Sequence, residues 1–311
     1  MPAAHLYIFS DGSPEDWLVD GHDERWHTIA NLVVQSDPAR IEDIERGASH
    51  EELLPQDPFY NTIVESISSG LPSHTLRKWK TGPQYKARFC RAFAGVLTKS
   101  RPVISACSFQ ERTLRDSKQA LMASYNRHLG GIEGRGIDFE ESFDDRGRRR
   151  LKHSFVHWRT GYHEIEGLEN QILVLLFMAW FIADQYRFYY HKLVSSGTCG
   201  FDELRLTVVS DKLSGDDDLR HKSEANLRNL IDPENNAVQV TVTRSRASDD
   251  FSGDLLADNL AGWLNSSMID PSGPYAEQAK SLAPSGVWTG WHQLQPSNDL
   301  LTARPAVDVL K

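Results

Sequence analysis

A chain of 311 residues, 40% hydrophobic and 25% charged, has the composition of a folded globular protein with one large domain or two modest ones, which excludes collagen-like, coiled-coil and wholly disordered architectures. The net charge of −9 argues against a general nucleic-acid coat but leaves room for a local basic face. Three widely spaced cysteines, Cys90, Cys107 and Cys199, support neither a disulfide framework nor a cysteine-rich zinc site and fit a reducing, cytoplasmic compartment.

The first ten residues lack a basic region followed by a long apolar core, so no signal peptide is expected. Residues 5–10 (HLYIFS) read as a strand that ends on Asp11, Gly12, Ser13 and Pro14. A second strand is expected at 27–35, stopped by Ser36, Asp37 and Pro38. Residues 39–69 read as mixed polar and helical, with breaks at Pro55 and Pro58.

From Leu71 to Gln110 there is no Asp or Glu, while Arg77, Lys78, Lys80, Lys86, Arg88, Arg91, Lys99 and Arg101 alternate with Trp79, Tyr85, Phe89 and Phe93. Such a stretch is either a phosphate-contacting surface or a solvated basic helix whose aromatics are core. A helix at 84–97 and a strand at 102–109 are expected within it. A helix at 113–129 follows, closed by Gly130 and Gly131, and then a charged, Gly-rich exposed loop over 130–152 that ends in Arg146, Arg148, Arg149, Arg150 and Lys152.

The run 172–183 (ILVLLFMAWFIA) is about a dozen residues, short of the ~20 that cross a bilayer, and predicts the buried centre of a helix over 164–193 rather than a membrane span. Beyond it come a strand at 203–210 ending on Asp211, a helix at 217–231, a strand at 237–243 and a helix at 252–265. The remainder, 266–311, is rich in Ser, Pro and Gly and reads as an irregular tail wrapping the surface, so that residues 1–265 form the domain and about 36–100 a helical insertion in it.

Two strands that end on aspartate, Asp11 and Asp211, suggest an acidic site. Asp254 and Asp258, spaced i, i+4 on the last helix, can join them, as can Glu166 or Glu169 at the entrance of the long helix. Clustered carboxylates repel unless a cation offsets them, and hard oxygen ligands suit Mg²⁺ or Mn²⁺. Two such ions activate water and stabilise the leaving oxygen in phosphodiester cleavage. Each acid also has a plainer role: an aspartate after a strand is often a turn former, and Asp254 is favoured by the helix dipole. His153, His157 and His163 have no zinc-type spacing, Cys199 reads as a loop thiol, and no GxxxxGK[ST] loop supports an ATPase.

The order of strand with Asp, strand, strand, helix with Glu, strand with Asp, helix, strand and helix with Asp resembles the ribonuclease-H-like fold. LYIFSDGS around Asp11, LENQILVLL around Glu169 and LTVVSDKLS around Asp211 carry the resemblance. Within that superfamily the chain is most similar to the domain-of-unknown-function family thirty-eight hundred, a group taken as nucleases. Members open on Asp-Glu-Ser-Gly and close with a Leu-Gln-Leu-Ala-Asp-Leu-like helix. Here DLLADNLAG sets Asp258 on the family's aspartate, with Leu255 replacing Gln. The opening DGSP keeps Asp11 with Gly12 in place of Glu, and LRKWK keeps Lys78 and Trp79 of a Glu-Leu-Lys-Trp element with Leu76 in place of Glu.

The resemblance implies an α/β domain with a ribonuclease-H-like mixed sheet flanked by helices. It implies a metal-dependent nuclease in which Asp11, Glu169, Asp211 and Asp258, with Asp254 nearby, hold Mg²⁺ or Mn²⁺ and Arg77, Lys78, Lys80, Lys86 and Arg88 track the nucleic acid. Roles in defence against foreign nucleic acid or as a toxin follow by family analogy, with a protein partner in a larger complex also in view. The rival expectation, favoured by the replaced glutamates at Gly12 and Leu76, is a non-catalytic nucleic-acid-binding or scaffold subunit of the same fold.

Overall fold

A computed structural model of the chain describes residues 3–13, 23–36, 77–100, 103–121, 123, 139–143, 149–153, 165–197, 201–214, 217–232, 238–243, 253–295 and 302–306. Its centre is a mixed sheet of seven strands: β1 (Ala3–Ser13), β2 (Trp26–Ser36), β3 (Val103–Gln110), β6 (Glu203–Val209), β7 (Val240–Thr243), β8 (Trp291–Gln295) and β9 (Thr302–Pro305). A separate antiparallel hairpin joins β4 (Phe139–Phe143) to β5 (Arg149–His153).

The sheet runs in the order β7-β6-β1-β2-β3-β8-β9. β1 pairs in parallel with β6 and β6 with β7, whereas β2 runs antiparallel to both β1 and β3. On the far side β8 is parallel to β3 and β9 antiparallel to β8. β1 is buried from Ala4 to Ser10, and the near-continuous apolar run is what a strand covered on both faces requires.

Two helical layers provide that cover. On one face Leu6, Ile8, Ile29, Leu206 and Val208 pack against α3 (Ile165–Tyr190), whose Leu173, Phe177 and Ile182 are fully buried. α5 (Asp217–Ile231) adds Leu227 and Leu230 to the same core. On the other face Tyr7, Phe9, Ala30 and Leu32 meet α6 (Gly253–Ile269) and α1 (Pro83–Ser100), which contribute Leu256, Leu260, Phe89 and Phe93. Short helices α2 (Glu111–Asp116) and α4 (Asp211–Ser214) follow β3 and β6 directly, and α7 (Pro274–Leu282) packs beside α6. None of the described helices is long and apolar enough to cross a membrane.

Three expectations are corrected. Residues 266–311 are not an irregular tail: α6 continues to Ile269, α7 follows, and β8 and β9 extend the sheet beyond β3. Trp288 and Trp291 fill the core rather than wrap the surface, and the Trp291 indole N–H donates to Ser108 Oγ at 2.9 Å. The stretch 130–152 contains β4 and most of the paired β5, in a register that sets Glu140 opposite Lys152. The helix expected at 113–129 begins at Glu111 and breaks at Ser117. Of the expected insertion at 36–100, residues 37–76 lie outside the described residues, and the rest forms a 3-10 turn at Trp79–Thr81 and α1.

Candidate active site at the carboxyl edge of the sheet

β1, β3, β6 and β7 run the same way, so their carboxyl ends share one edge of the sheet. Ligand sites of open α/β sheets form outside such edges. In the β1–β6 pair Phe9 stands opposite Val209, and two residues further along each chain come Asp11 and Asp211. The two aspartates therefore lie toward the same edge, Asp11 within the last residues of β1 and Asp211 just past β6. Asp11 is half-buried, opposite Ala30 of β2, and its Oδ1 accepts the Gly12 N–H at 2.7 Å. Asp211 is exposed at the start of α4, on a turn fixed by Ser210 N–H to Thr243 O at 2.9 Å and Ser214 N–H to Ser210 O at 3.1 Å.

Strand alternation puts Asp11 on the face of Tyr7 and Phe9, the face that α6 covers. The first turn of α6 rests on Phe9, where a Cβ at Gly253 would run into the ring. Further along, Asn265 Oδ1 accepts the Thr28 hydroxyl at 3.4 Å, and Thr28 stands opposite Ser13. α6 thus advances from the level of Phe9 toward the carboxyl end of β1, with Asp258 between. Seven residues before Asn265, Asp258 differs from it by only about 20° around the helix. It is half-buried, and its Oδ2 accepts the backbone N–H of Trp79 at 2.7 Å.

α3 reaches the same edge from the opposite face. Phe177 packs edge-on against Phe109 near the end of β3, whereas the Tyr186 hydroxyl donates to Leu204 O, at the start of β6, at 2.6 Å. The helix therefore runs against these strands and brings its first turns, with Glu166 and Glu169, toward their carboxyl ends. The side chains of Glu166, Glu169 and Asp254 lie outside the described residues. Among the described residues no group of three or more His, Cys, Asp or Glu side chains is placed to hold a metal ion.

The acid-free stretch divides in two. Trp79, Phe89 and Phe93 are core, while Arg77, Lys78, Lys80 and Arg88 are exposed. Lys86 lies between, its Nζ 4.9 Å from the Trp79 ring centroid, a cation–π contact. Burial lowers the Lys86 pKa, with the charge of Asp258 opposing the shift. Arg149, Arg150 and Lys152 belong to β5, while Arg146, Arg148, His157, His163 and Cys199 lie outside the described residues.

Sequence reasoning passed over His27 and Glu111, whose side chains meet at 2.8 Å at this edge of the sheet. The signal was present: Glu111 follows β3 as Asp211 follows β6. An apolar groove of about 550 Å³ between α3 and strands β3 and β8, walled by Phe177, Trp180 and Phe188, also went unforeseen. It opens on the α3 face, opposite the face that carries Asp11. Comparison with protein-family models, curated proteins and solved structures returns no match to this chain.

Proposed function

We propose that the chain is a metal-dependent nuclease that hydrolyses phosphodiester bonds of DNA or RNA at the carboxyl edge of β1 and β6. The observation that carries this reading is the pair Asp11 and Asp211, each two residues beyond the opposed Phe9 and Val209 of adjacent parallel strands. Five central strands in the order β3-β2-β1-β6-β7, with β2 alone antiparallel, support a ribonuclease-H-like core to which β8 and β9 are added. The similarity to family thirty-eight hundred is part of the same proposal.

The donor set suits a hard divalent ion in kind, since it consists of carboxylate oxygens without thiolates. Mg²⁺ is commonly held by one or two carboxylates and keeps several of its waters, which an incomplete protein cage allows. Asp11 and Asp211 would hold Mg²⁺ or Mn²⁺, with Asp258 and Glu169 as the further ligands of the proposal. Bound there, the ion supplies an activated water and stabilises the leaving oxygen. The Gly12 and Trp79 amides each restrain one oxygen of Asp11 and Asp258, orienting the carboxylates. The exposed Arg77, Lys78, Lys80 and Arg88 offer cations to the phosphate backbone.

The test is incubation of the chain with mixed DNA and RNA in Mg²⁺, Mn²⁺ or EDTA, beside Asp11→Asn and Asp211→Asn. Degradation with either metal, its loss in EDTA and a drop of roughly 100-fold or more in each variant are expected. Equal cleavage by parent and both variants would sink the assignment.

A second reading, a non-catalytic nucleic-acid-binding or scaffold subunit of the same fold, is favoured by one observation: Gly12 and Leu76 stand where the resemblance calls for glutamates. Binding without cleavage under every metal condition is its signature.

A further inference from the structure

Trp79 is received by a single stripe of α6. Asp258, Gly262 and Ser266 are spaced i, i+4, i+8 and so line one side of the helix. Asp258 Oδ2 accepts the Trp79 backbone N–H at 2.7 Å, and Ser266 Oγ accepts its indole N–H at 3.3 Å. Between them Gly262 leaves the space that the indole fills, since a Cβ there would run into the ring. Next to Asp258, Asn259 Nδ2 donates to the Arg77 carbonyl at 2.7 Å. The turn is closed on itself by the Thr81 hydroxyl and amide, which donate to Lys78 O at 2.6 and 3.0 Å.

Ordinary core packing would need only the ring. Here two neighbouring side chains of α6 also bind two main-chain groups of the turn, and that fixes the backbone from which Lys78 and Lys80 project. Both lysines are exposed although Trp79 between them is buried. We infer that Asp258 and Asn259 are positioning residues for a phosphate-binding turn, holding Lys78 and Lys80 where a nucleic-acid backbone meets them. The inference rests on the nucleic-acid reading above and extends it. Nucleic-acid binding and the acidic site then share one helix, and the carboxylate of Asp258 serves both.

The two duties of Asp258 separate experimentally. Asparagine in its place keeps an oxygen that accepts the Trp79 N–H, whereas alanine does not. Binding of a fluorescein-labelled oligonucleotide is measured in EDTA across a salt series, so that no metal contributes. Each lysine–phosphate contact is worth roughly one unit of the logarithmic salt slope. Lys78→Ala with Lys80→Ala should flatten the slope by about two units. Asp258→Ala should do the same, and adding the two lysine changes to it should bring no further loss. Asp258→Asn should keep the parental slope. Amide exchange at Trp79 should be slow in the parent and in Asp258→Asn and fast in Asp258→Ala.

Independent, additive losses would overturn the inference, as would Asp258→Asn matching Asp258→Ala in slope. Should Asp258→Ala fail to fold, Asn259→Ala makes the same comparison through the Arg77 carbonyl. A parent that binds no oligonucleotide overturns the nucleic-acid reading itself, an outcome distinct from binding that ignores Asp258.

Discussion

The imidazole of His27 and the carboxylate of Glu111 meet at 2.8 Å in the interior, where β2 begins and β3 has just ended. Both are nearly inaccessible to solvent, and the His27 ring stacks on Phe109 with centroids 5.7 Å apart. Burial, seconded by the charge of Arg25, pushes the His27 pKa down to about 4. The buried ring is thus neutral near pH 7, with one ring N–H to donate and one bare ring nitrogen to accept.

That depression sets a pH dependence. The folded state resists protonation that the unfolded chain accepts near pH 6.5, so stability is full above 6.5 and falls as the pH drops through about 4. The loss should reach about 3 kcal/mol at pH 4. Urea melts at pH 7 and pH 4 check it, and His27→Gln should shrink the difference between them by a similar amount.

Lys78, Lys80 and Arg88 are exposed on the turn and on α1. Replacing all three with Ala should lower the logarithmic salt slope of nucleic-acid binding by roughly three units, one per phosphate contact. A filter-binding titration reads it, and an unchanged slope would return the stretch to a solvated surface.

Gly262→Ala should destabilise the fold by about 1–3 kcal/mol, because a methyl group must enter space held by the Trp79 ring. The Trp79 amide should lose protection in parallel, since the ring and its N–H cannot both keep their places. Chemical denaturation with residue-resolved amide exchange measures both.

Phe177 is 1% exposed and contacts Phe109, Trp180 and Phe181. Phe177→Ala should cost about 3–5 kcal/mol, the transfer loss plus the cavity left between α3 and the sheet. A loss under 1 kcal/mol in denaturant unfolding would show that this part of the helix packs loosely.

Cys90 and Cys107 are free and buried, and burial raises both thiols, Cys107 to about 12. Peptide mapping after brief treatment of the native protein with a thiol reagent should find both unmodified. Denaturation should expose both to labelling, because the thiolate is the reactive form.

Local pattern made much of the fold legible. Strands at 27–35 and 203–210, the helix at 217–231 and the buried stretch of α3 all follow from which residues must face a core, information that a strand repeats every two residues and a helix every three or four. Asp211 after β6 was visible for the same reason, since a turn former closing an apolar run is a local signal, whereas β1 does not turn at Asp11 but stays paired with β2 to Ser13. The strands β8 and β9 were not, because WHQLQ and TARP are too short to show a period and become strands only by pairing at the free side of β3. The sequence showed LRKWK and DLLADNLAG as two separate motifs. Only the tertiary structure makes them one unit, through a hydrogen bond between residues 179 positions apart. The pairing of His27 with Glu111 and the neighbourhood of Asp11 and Asp211 were decided in the same way. Periodicity tells each segment which face to bury, but the partner it is buried against is chosen by packing over the whole chain.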